Sequence, residues 1–390
     1  MQSSTRTRIE VGARTALFCA LILSCLSPAF AADPIKIGAI FGVTGPAAYL
    51  GAPEEKTARM VVDDINRNGG ILGRQVQLIV KDSGANSEKA ISFAKQLIDE
   101  DNVVAIIGPT TSGESMAIKD ICEKAGMPLV SCASAETITT PVAKYVFKVP
   151  QKDNYIVEWL YGTMRKLGIS KIGVIAANTG FGNVGKAQLE KYASKYGMTI
   201  AIAEVYDSAA TDLSALLTKV NATGVQAVVN WSIEPAQSIV AKNMRQLKMP
   251  QQLFQSHGFA NIRYVEAAGE AAEGIIFPAG RLIIAGELPA SNPQKKLLMK
   301  YNADYKALYK EDASTFGGHA IDALMILKSA IEAAKGTDPD KMVQAIEGTK
   351  DFPGTAGVFN FSASDHNGLQ MDSIEMMTVR NGKFTLYKGK

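Results

Sequence analysis

From residue 35 onward the chain alternates short runs of apolar, β-branched residues with longer segments whose apolar positions recur every three or four residues. Residues 35–41 are one continuous apolar run. A Gly-rich turn follows, then a helical pattern over about 53–68, stopped by Gly69-Gly70, which tolerate the left-handed conformation at a helix end. Strand 75–81, helix 86–100, strand 103–108, helix 113–124 and strand 127–131 continue the alternation. Apolar strands separated by helices predict a parallel sheet covered on both faces.

The pattern turns extended over 145–150 and then restarts. Segments 171–177, 184–196, 199–206, 212–223, 226–231, 235–247 and 252–255 form a second strand–helix series. Two successive series divided near Pro150 predict an α/β protein of two doubly wound, Rossmann-like lobes. The tail does not repeat the unit a third time. Helical patterns over 293–309 and 316–334 precede short strands around 358–361 and 375–380, content that completes two existing domains rather than building another.

The first residues fix the compartment. Arg6, Arg8 and Arg14 precede an apolar run over 16–26, and Ala29-Phe30-Ala31 supplies the small residues that signal peptidase requires. The run is short for a bilayer's hydrocarbon core. We therefore expect a signal peptide over 1–31, cleavage near Ala31 and a periplasmic product, with lipidation at Cys25 as the alternative. Its removal leaves 38 basic against 37 acidic side chains. So balanced a surface argues against nucleic acid or an anionic membrane as partner, since each needs a dense basic footprint. Cys122 and Cys132 remain after cleavage, separated by a strand that carries the chain roughly 15 Å, beyond the ~7 Å Cα limit for a disulfide. Both are expected to be buried thiols.

Gly180-Phe181-Gly182-Asn183-Val184-Gly185 fits G-x-G-x-x-G after a strand, with Glu204 some twenty residues on, as a dinucleotide site requires. An exported chain meets no steady supply of such a cofactor. We read the motif as a tight βα turn at the edge of a cleft, with Phe181 projecting outward, and expect no cofactor. Catalytic patterns are missing too. The sequence has no G-x-S-x-G elbow, and His257, His319 and His366 are too far apart for an H-E-x-x-H zinc site. Neither an enzyme nor a metal site is expected.

The informative residues follow strand ends. Pro109-Thr110-Thr111-Ser112-Gly113 and Ala133-Ser134-Ala135 each come directly after a predicted strand. In open α/β sheets ligands bind outside the carboxyl ends of strands. Hydroxyls, free N–H groups and a helix start there suit a carboxylate, although Thr110, Thr111 and Ser112 serve equally as a helix cap.

At these residues the chain resembles the leucine/isoleucine/valine-binding family of periplasmic proteins that feed ABC importers. The resemblance covers nearly all of the mature sequence. It rests on Ile37-Gly38 with Thr44-Gly45-Pro46-Ala47, on Asp63-Asp64-Ile65-Asn66 with Gly69-Gly70-Ile71 and Gly73-Arg74, and on the stretch 104–112 with 131–135. Phe181-Gly182, Ala271-Ala272-Glu273-Gly274 and Asp322-Ala323-Leu324 add to it. It implies two α/β lobes joined by three hinge crossings, of the type I periplasmic-binding fold. One lobe would be 32–149 plus 279–354 and the other 150–278 plus 355–390, closing on a ligand between them. It further implies a monomer that delivers solute to ABC permease subunits in the inner membrane, or alternatively a sensor for a membrane signalling partner.

By the same resemblance, Ser112 matches the hydroxyl that holds a ligand carboxylate, with Thr111 beside it. Ala133 and Ala135 match positions of polar contact, Ala135 through its N–H alone, with Ser134 between them a further candidate contact. Leu50, beside Tyr49, falls where an aromatic wall often lies. Phe181 matches the aromatic that covers the ligand from the second lobe, and Trp231-Ser232 ends that lobe's next strand. His257 departs from the pattern, because amino-acid binders resembling this chain carry an acidic residue there for the ligand ammonium. An uncompensated ammonium in a closed cleft costs heavily, whereas histidine donates to a hydroxyl, carbonyl or carboxylate. The expected ligand is therefore a small carboxylate without an α-ammonium, an aromatic acid being favoured, with ring contacts from Phe181, Tyr49 and Trp231. The alternative is an amino-acid binder in which another acid, such as Glu234, takes the ammonium. His319 faces either the cleft or a satisfied interior position, and His366 reads as a turn residue.

Overall fold

A computed structural model describes residues 33–389, so the signal segment and its cleavage site lie outside the described residues. Strands β1 (Ile35–Phe41), β2 (Val76–Asp82), β3 (Ala105–Ile107), β4 (Leu129–Ser131) and β5 (Val146–Lys148) form one sheet, in the order β2-β1-β3-β4-β5. Every pairing in it is parallel. Helices Ser87–Asp99 and Ser112–Ala125 are its crossovers. β1, β3, β4 and β5 are apolar and buried almost throughout, as strands covered on both faces must be.

A second sheet holds β6 (Lys171–Ala177), β7 (Thr199–Tyr206), β8 (Ala227–Trp231), β9 (Gln252–Gln255) and β10 (Ile276–Ala279). A hairpin of β11 (Phe352–Pro353) and β12 (Val358–Phe359) stands apart from both sheets. β13 (Glu375–Arg380) and β14 (Lys383–Leu386) return to the second sheet, whose order is β14-β13-β10-β9-β8-β6-β7. β13 lies antiparallel to β10, and β14 antiparallel to β13. The tail thus completes existing lobes, since its helix Thr315–Ala334 packs along helix Ala48–Arg67 of the first.

The chain passes between the lobes three times, and side chains tie the passages together. Gln151 on the first donates to the Ala356 carbonyl on the third at 2.7 Å. Asn367 donates to the carbonyls of Lys148 and Pro150. The Asp322 carboxylate, entirely buried, accepts from the Thr355 and Ala356 N–H groups and the Thr355 hydroxyl. Burial pushes its pKa up to about 7 despite those donors. His366 lies in the turn at 363–367, as its sequence suggests, and its ring belongs to this hinge. It is 1% exposed, stacks on Phe147 at 4.0 Å, and reaches the Val146 carbonyl and Glu347 with its two ring nitrogens.

The first long helix starts at Ala48, five residues before Pro53, where the pattern alone placed its beginning. Proline has no N–H, so the carbonyl four residues back, that of Tyr49, lacks its helical partner. Asn261 of the second lobe donates to that carbonyl at 2.6 Å. A proline inside one helix therefore frees an acceptor for the opposite lobe. Thr315 adds a second link, donating to the Ala260 carbonyl, and Tyr49 meets Tyr264 edge to face.

Replacing Pro53 with alanine restores the helical N–H and should raise Tm, because an interior proline costs a helix about 3 kcal/mol. The same change should loosen the lobes, read as a larger radius of gyration in small-angle scattering. A raised Tm with unchanged scattering would show that the Asn261 contact does not depend on the proline.

Candidate functional site

The carboxyl ends of both sheets face one another across a cavity of about 20 Å³, room for about one water molecule. Leu50, Thr110, Ser112, Cys132, Ala133 and Ser134 line it from the first lobe, together with Phe316 and His319. Phe181, Ile233, His257 and Gly258 line it from the second, and Pro150 from the first crossing.

On the first lobe, the turn after β3 runs straight into helix Ser112–Ala125. Thr111 is the cap of that helix, in a reciprocal capping box with Glu114. Its polar groups are thereby used, and it does not line the cavity. Ser112, in the first turn and 1% exposed, does line it. The Ala135 N–H donates to the Ser112 hydroxyl oxygen at 3.2 Å, so Ala135 braces Ser112 and lies outside the wall. Thr110 accepts from the Gly42 N–H and donates to the buried carboxylate of Glu54. Burial raises the Glu54 pKa well above the usual range even so, and its other oxygen has no partner.

On the second lobe, Thr179 caps the helix Gly180–Ala193, which therefore begins four residues earlier than the periodicity predicts. Phe181 falls in its first turn and points into the cleft, not outward, 3% exposed. The glycines of the motif answer to packing. A Cβ on Gly180 would come within 2.7 Å of the Gly113 backbone across the cleft, and one on Gly185 would strike the Trp231 indole. Trp231, fully buried, backs Phe181 at 5.6 Å and does not reach the cavity. Ser232 is likewise behind it, donating to Glu234, which also takes the Ile233 N–H. Glu234 is thus already satisfied. Tyr49 stands at the rim against Tyr264, outside the cavity wall.

His257 follows β9 in a short turn capped by Ser256. Its ring sits edge-on to Phe181 and Trp231. Its Nε2 lies 3.8 Å from an oxygen of Asp153, the first residue of helix Asp153–Lys166 after the first crossing. Burial, then the neighbouring His319 and Lys148, push its pKa down to about 3, so the ring is neutral. At 3.8 Å the Asp153 oxygen is too far to hydrogen-bond Nε2, and Nδ1 is buried without a partner. His319 is also neutral, pushed down to about 3 by burial. Its ring lies edge-on to Phe316, and its Nδ1 too is buried without a partner.

Asp153 is fully buried and neither of its oxygens meets a donor at hydrogen-bonding geometry. Burial lifts its pKa to about 7, opposed first by Lys148 and then by the Ser134 hydroxyl nearby. Lys148, equally buried, donates to the carbonyls of Ser134 and Ala135. Burial lowers it to about 8, opposed by Asp153. Cys122 and Cys132 are free, buried thiols as expected, and Cys132 is part of the cavity wall. Sequence reasoning missed Asp153, Lys148, Cys132 and Phe316, which carry no motif and come together only when the crossings form.

The sequence profile described as "Periplasmic binding protein" matches residues 34–383. The chain belongs to the periplasmic binding protein family. A leucine-, isoleucine-, valine-, threonine- and alanine-binding protein of Pseudomonas aeruginosa is 25% identical over 338 residues, covering 85% of this chain and 87% of its own. The Leu/Ile/Val-binding protein BraC3 of Rhizobium johnstonii is 27% identical, covering 94% and 97%. Among solved structures, an extracellular ligand-binding receptor of Rhodopseudomonas palustris matches at TM-score 0.85 with 28% identity, over 91% of this chain and 99% of that one. The branched-chain amino acid transporter substrate-binding protein LivJ of Streptococcus pneumoniae, in complex with isoleucine, matches at 0.79 with 28% identity, over 90% and 97%. The two-lobe type I fold is shared with these structures. The chain is a periplasmic solute-binding protein of the branched-chain amino acid ABC transporter type, a class that works with permease subunits.

Three outcomes are expected. In proton NMR, the His257 and His319 rings should not titrate between pH 5 and 8; midpoints near 6.5 would contradict their burial. Because an unfolded histidine binds a proton that folded His319 does not, the parent loses stability as pH falls below about 6.5. His319→Leu removes that loss, so its stability relative to the parent should improve by about 2 kcal/mol between pH 7 and pH 5 in denaturant titrations. Separately, Gly180→Val should keep its Tm while binding solute at least about tenfold more weakly, since overpacking at the interlobe contact costs about 1–3 kcal/mol in the closed state alone.

Proposed function

We propose that this protein captures a small α-amino acid as the zwitterion and delivers it, as a monomer, to an ABC permease. In this reading it performs no chemistry on its ligand. One observation carries it: the His257 ring lines the cavity with neither nitrogen hydrogen-bonded among the described residues, and the Asp153 carboxyl lies 3.8 Å from its Nε2. The acid that an amino-acid binder needs at position 257 is thereby supplied through the imidazole. The ammonium donates to a ring nitrogen of His257, and Asp153 favours the positive charge that approaches. The ligand carboxylate goes to Ser112 at the start of helix Ser112–Ala125, where the hydroxyl and the helix N-terminus favour an anion.

Charge balance supports the same ligand. Lys148 and Asp153 cancel, both histidines are neutral and burial favours a protonated Glu54, so the pocket takes a net-neutral zwitterion without a new unpaired charge. Leu50, Ile233, Phe181 and Phe316 leave the side chain an apolar bed. The relatives' names point to amino acids as well. The aromatic acid expected from sequence gains no support from them. Of its would-be ring contacts only Phe181 lines the cavity, since Trp231 stands behind Phe181 and Tyr49 lies against Tyr264. The lobe limits read from sequence, with hinges near 149, 279 and 354, and cleavage near Ala31 complete the proposal.

A second reading keeps a small organic acid, because no carboxylate lines the cavity itself. The anion would then use Lys148 while Asp153 takes up a proton. Calorimetry of an amino acid and its deaminated analogue, in two buffers of different ionisation enthalpy, separates the two. The zwitterion should bind at least about a hundredfold tighter with little proton exchange, and Asp153→Asn should remove most of that preference, given about 3–5 kcal/mol for breaking a buried charge pair. Tighter binding of the deaminated acid, with uptake of about one proton near pH 7, would select the second reading.

A further inference from the structure

His319 stands on a helix of the first lobe and His257 on a turn of the second, yet both line one cavity. The Asp153 carboxyl gives His257 a polar neighbour at 3.8 Å. His319 has none. Its ring is 5% exposed, touches only the Phe316 edge among aromatic groups, and makes no hydrogen bond among the described residues. A neutral imidazole carries one N–H donor and one lone-pair acceptor, and leaving its Nδ1 buried and unpaired is costly. A packing role would be met better by leucine or phenylalanine, as the apolar neighbours Leu50 and Phe316 illustrate.

Resting on the amino-acid reading above, we infer that His319 is a specificity residue that hydrogen-bonds a polar group on the ligand's side chain. The ligand is then a small amino acid with a side-chain hydroxyl or amide rather than a purely aliphatic one. A branched aliphatic side chain fills the apolar bed but leaves the imidazole unpaired. A hydroxyl at the same place accepts from its N–H or donates to its lone pair. Sites built to hydrogen-bond a hydroxyl reject the analogue without it far more strongly than apolar pockets reject an added one.

Threonine and valine are near-isosteres that differ by hydroxyl for methyl, and 3-hydroxybutanoate and 3-methylbutanoate repeat the contrast without the ammonium. Affinities of the four are measured calorimetrically on the wild type, on His319→Leu and on His319→Gln. In the wild type the hydroxyl member of the binding pair should be preferred at least about tenfold. His319→Leu should abolish or invert that preference while still binding the aliphatic member, and His319→Gln, which keeps a donor and an acceptor, should retain part of it. If only the butanoates bind and the hydroxyl preference persists, the ammonium reading fails and the role of His319 stands. If the wild type prefers the aliphatic member, or His319→Leu leaves the ratio unchanged, the inference is overturned. Should His319→Leu fail to fold, the same ratio in the wild type and His319→Gln decides.

Discussion

The carboxylate of Asp153, buried on the first passage between the lobes, is the constraint around which the cleft is organised. Its carboxyl has no donor at hydrogen-bonding geometry, so whatever charge it carries must be balanced by what surrounds it. Lys148 provides most of that balance from the end of β5, and His257 brings its Nε2 within 3.8 Å from the other lobe. Helix Asp153–Lys166 starts at this residue, whose charge also suits the helix N-terminus. One side chain thus links the end of the first sheet, the start of the second lobe and the wall of the cavity.

Closure in this protein rests on small, specific devices rather than on a broad apolar contact. Pro53 releases a backbone carbonyl that Asn261 takes, and two glycines, Gly113 and Gly180, let helix starts from opposite lobes touch. Each is worth a kilocalorie or so. A ligand that bridges Ser112 and His257 adds its differential affinity to these and moves the balance between open and closed. The hinge is stiffened independently by Asp322, Gln151, Asn367 and His366, none of which faces the cavity.

Much of the fold was legible in the sequence because hydrophobic periodicity reports burial directly. Strands such as Lys171–Ala177, Thr199–Tyr206 and Glu375–Arg380 fall where the pattern places them. Helix starts were less legible, since Thr179 and Ala48 begin helices through capping and a preceding tight turn that periodicity does not register. The short helices Ile262–Ala268 and Pro339–Glu347 were missed for want of enough turns to show a period. For the site, strand-end position found Ser112, Ala133 and Ser134 in the wall, and the family resemblance found Leu50, Phe181 and His257. Between them they also nominated Tyr49, Thr111, Ala135, Trp231 and Ser232, which stand behind or beside it. Adjacency along the chain cannot tell a side chain that faces the cleft from one that caps, braces or backs it. Nor can it show that a carboxylate at 153 stands behind an imidazole at 257.

The account turns on how His257 meets the ligand. A high-resolution crystal structure with the bound amino acid tests this directly. The account predicts the ammonium nitrogen within hydrogen-bonding distance of the His257 ring, with Asp153 still beside that ring and the carboxylate at Ser112. A ligand whose carboxylate, rather than an ammonium, faces His257 would contradict it.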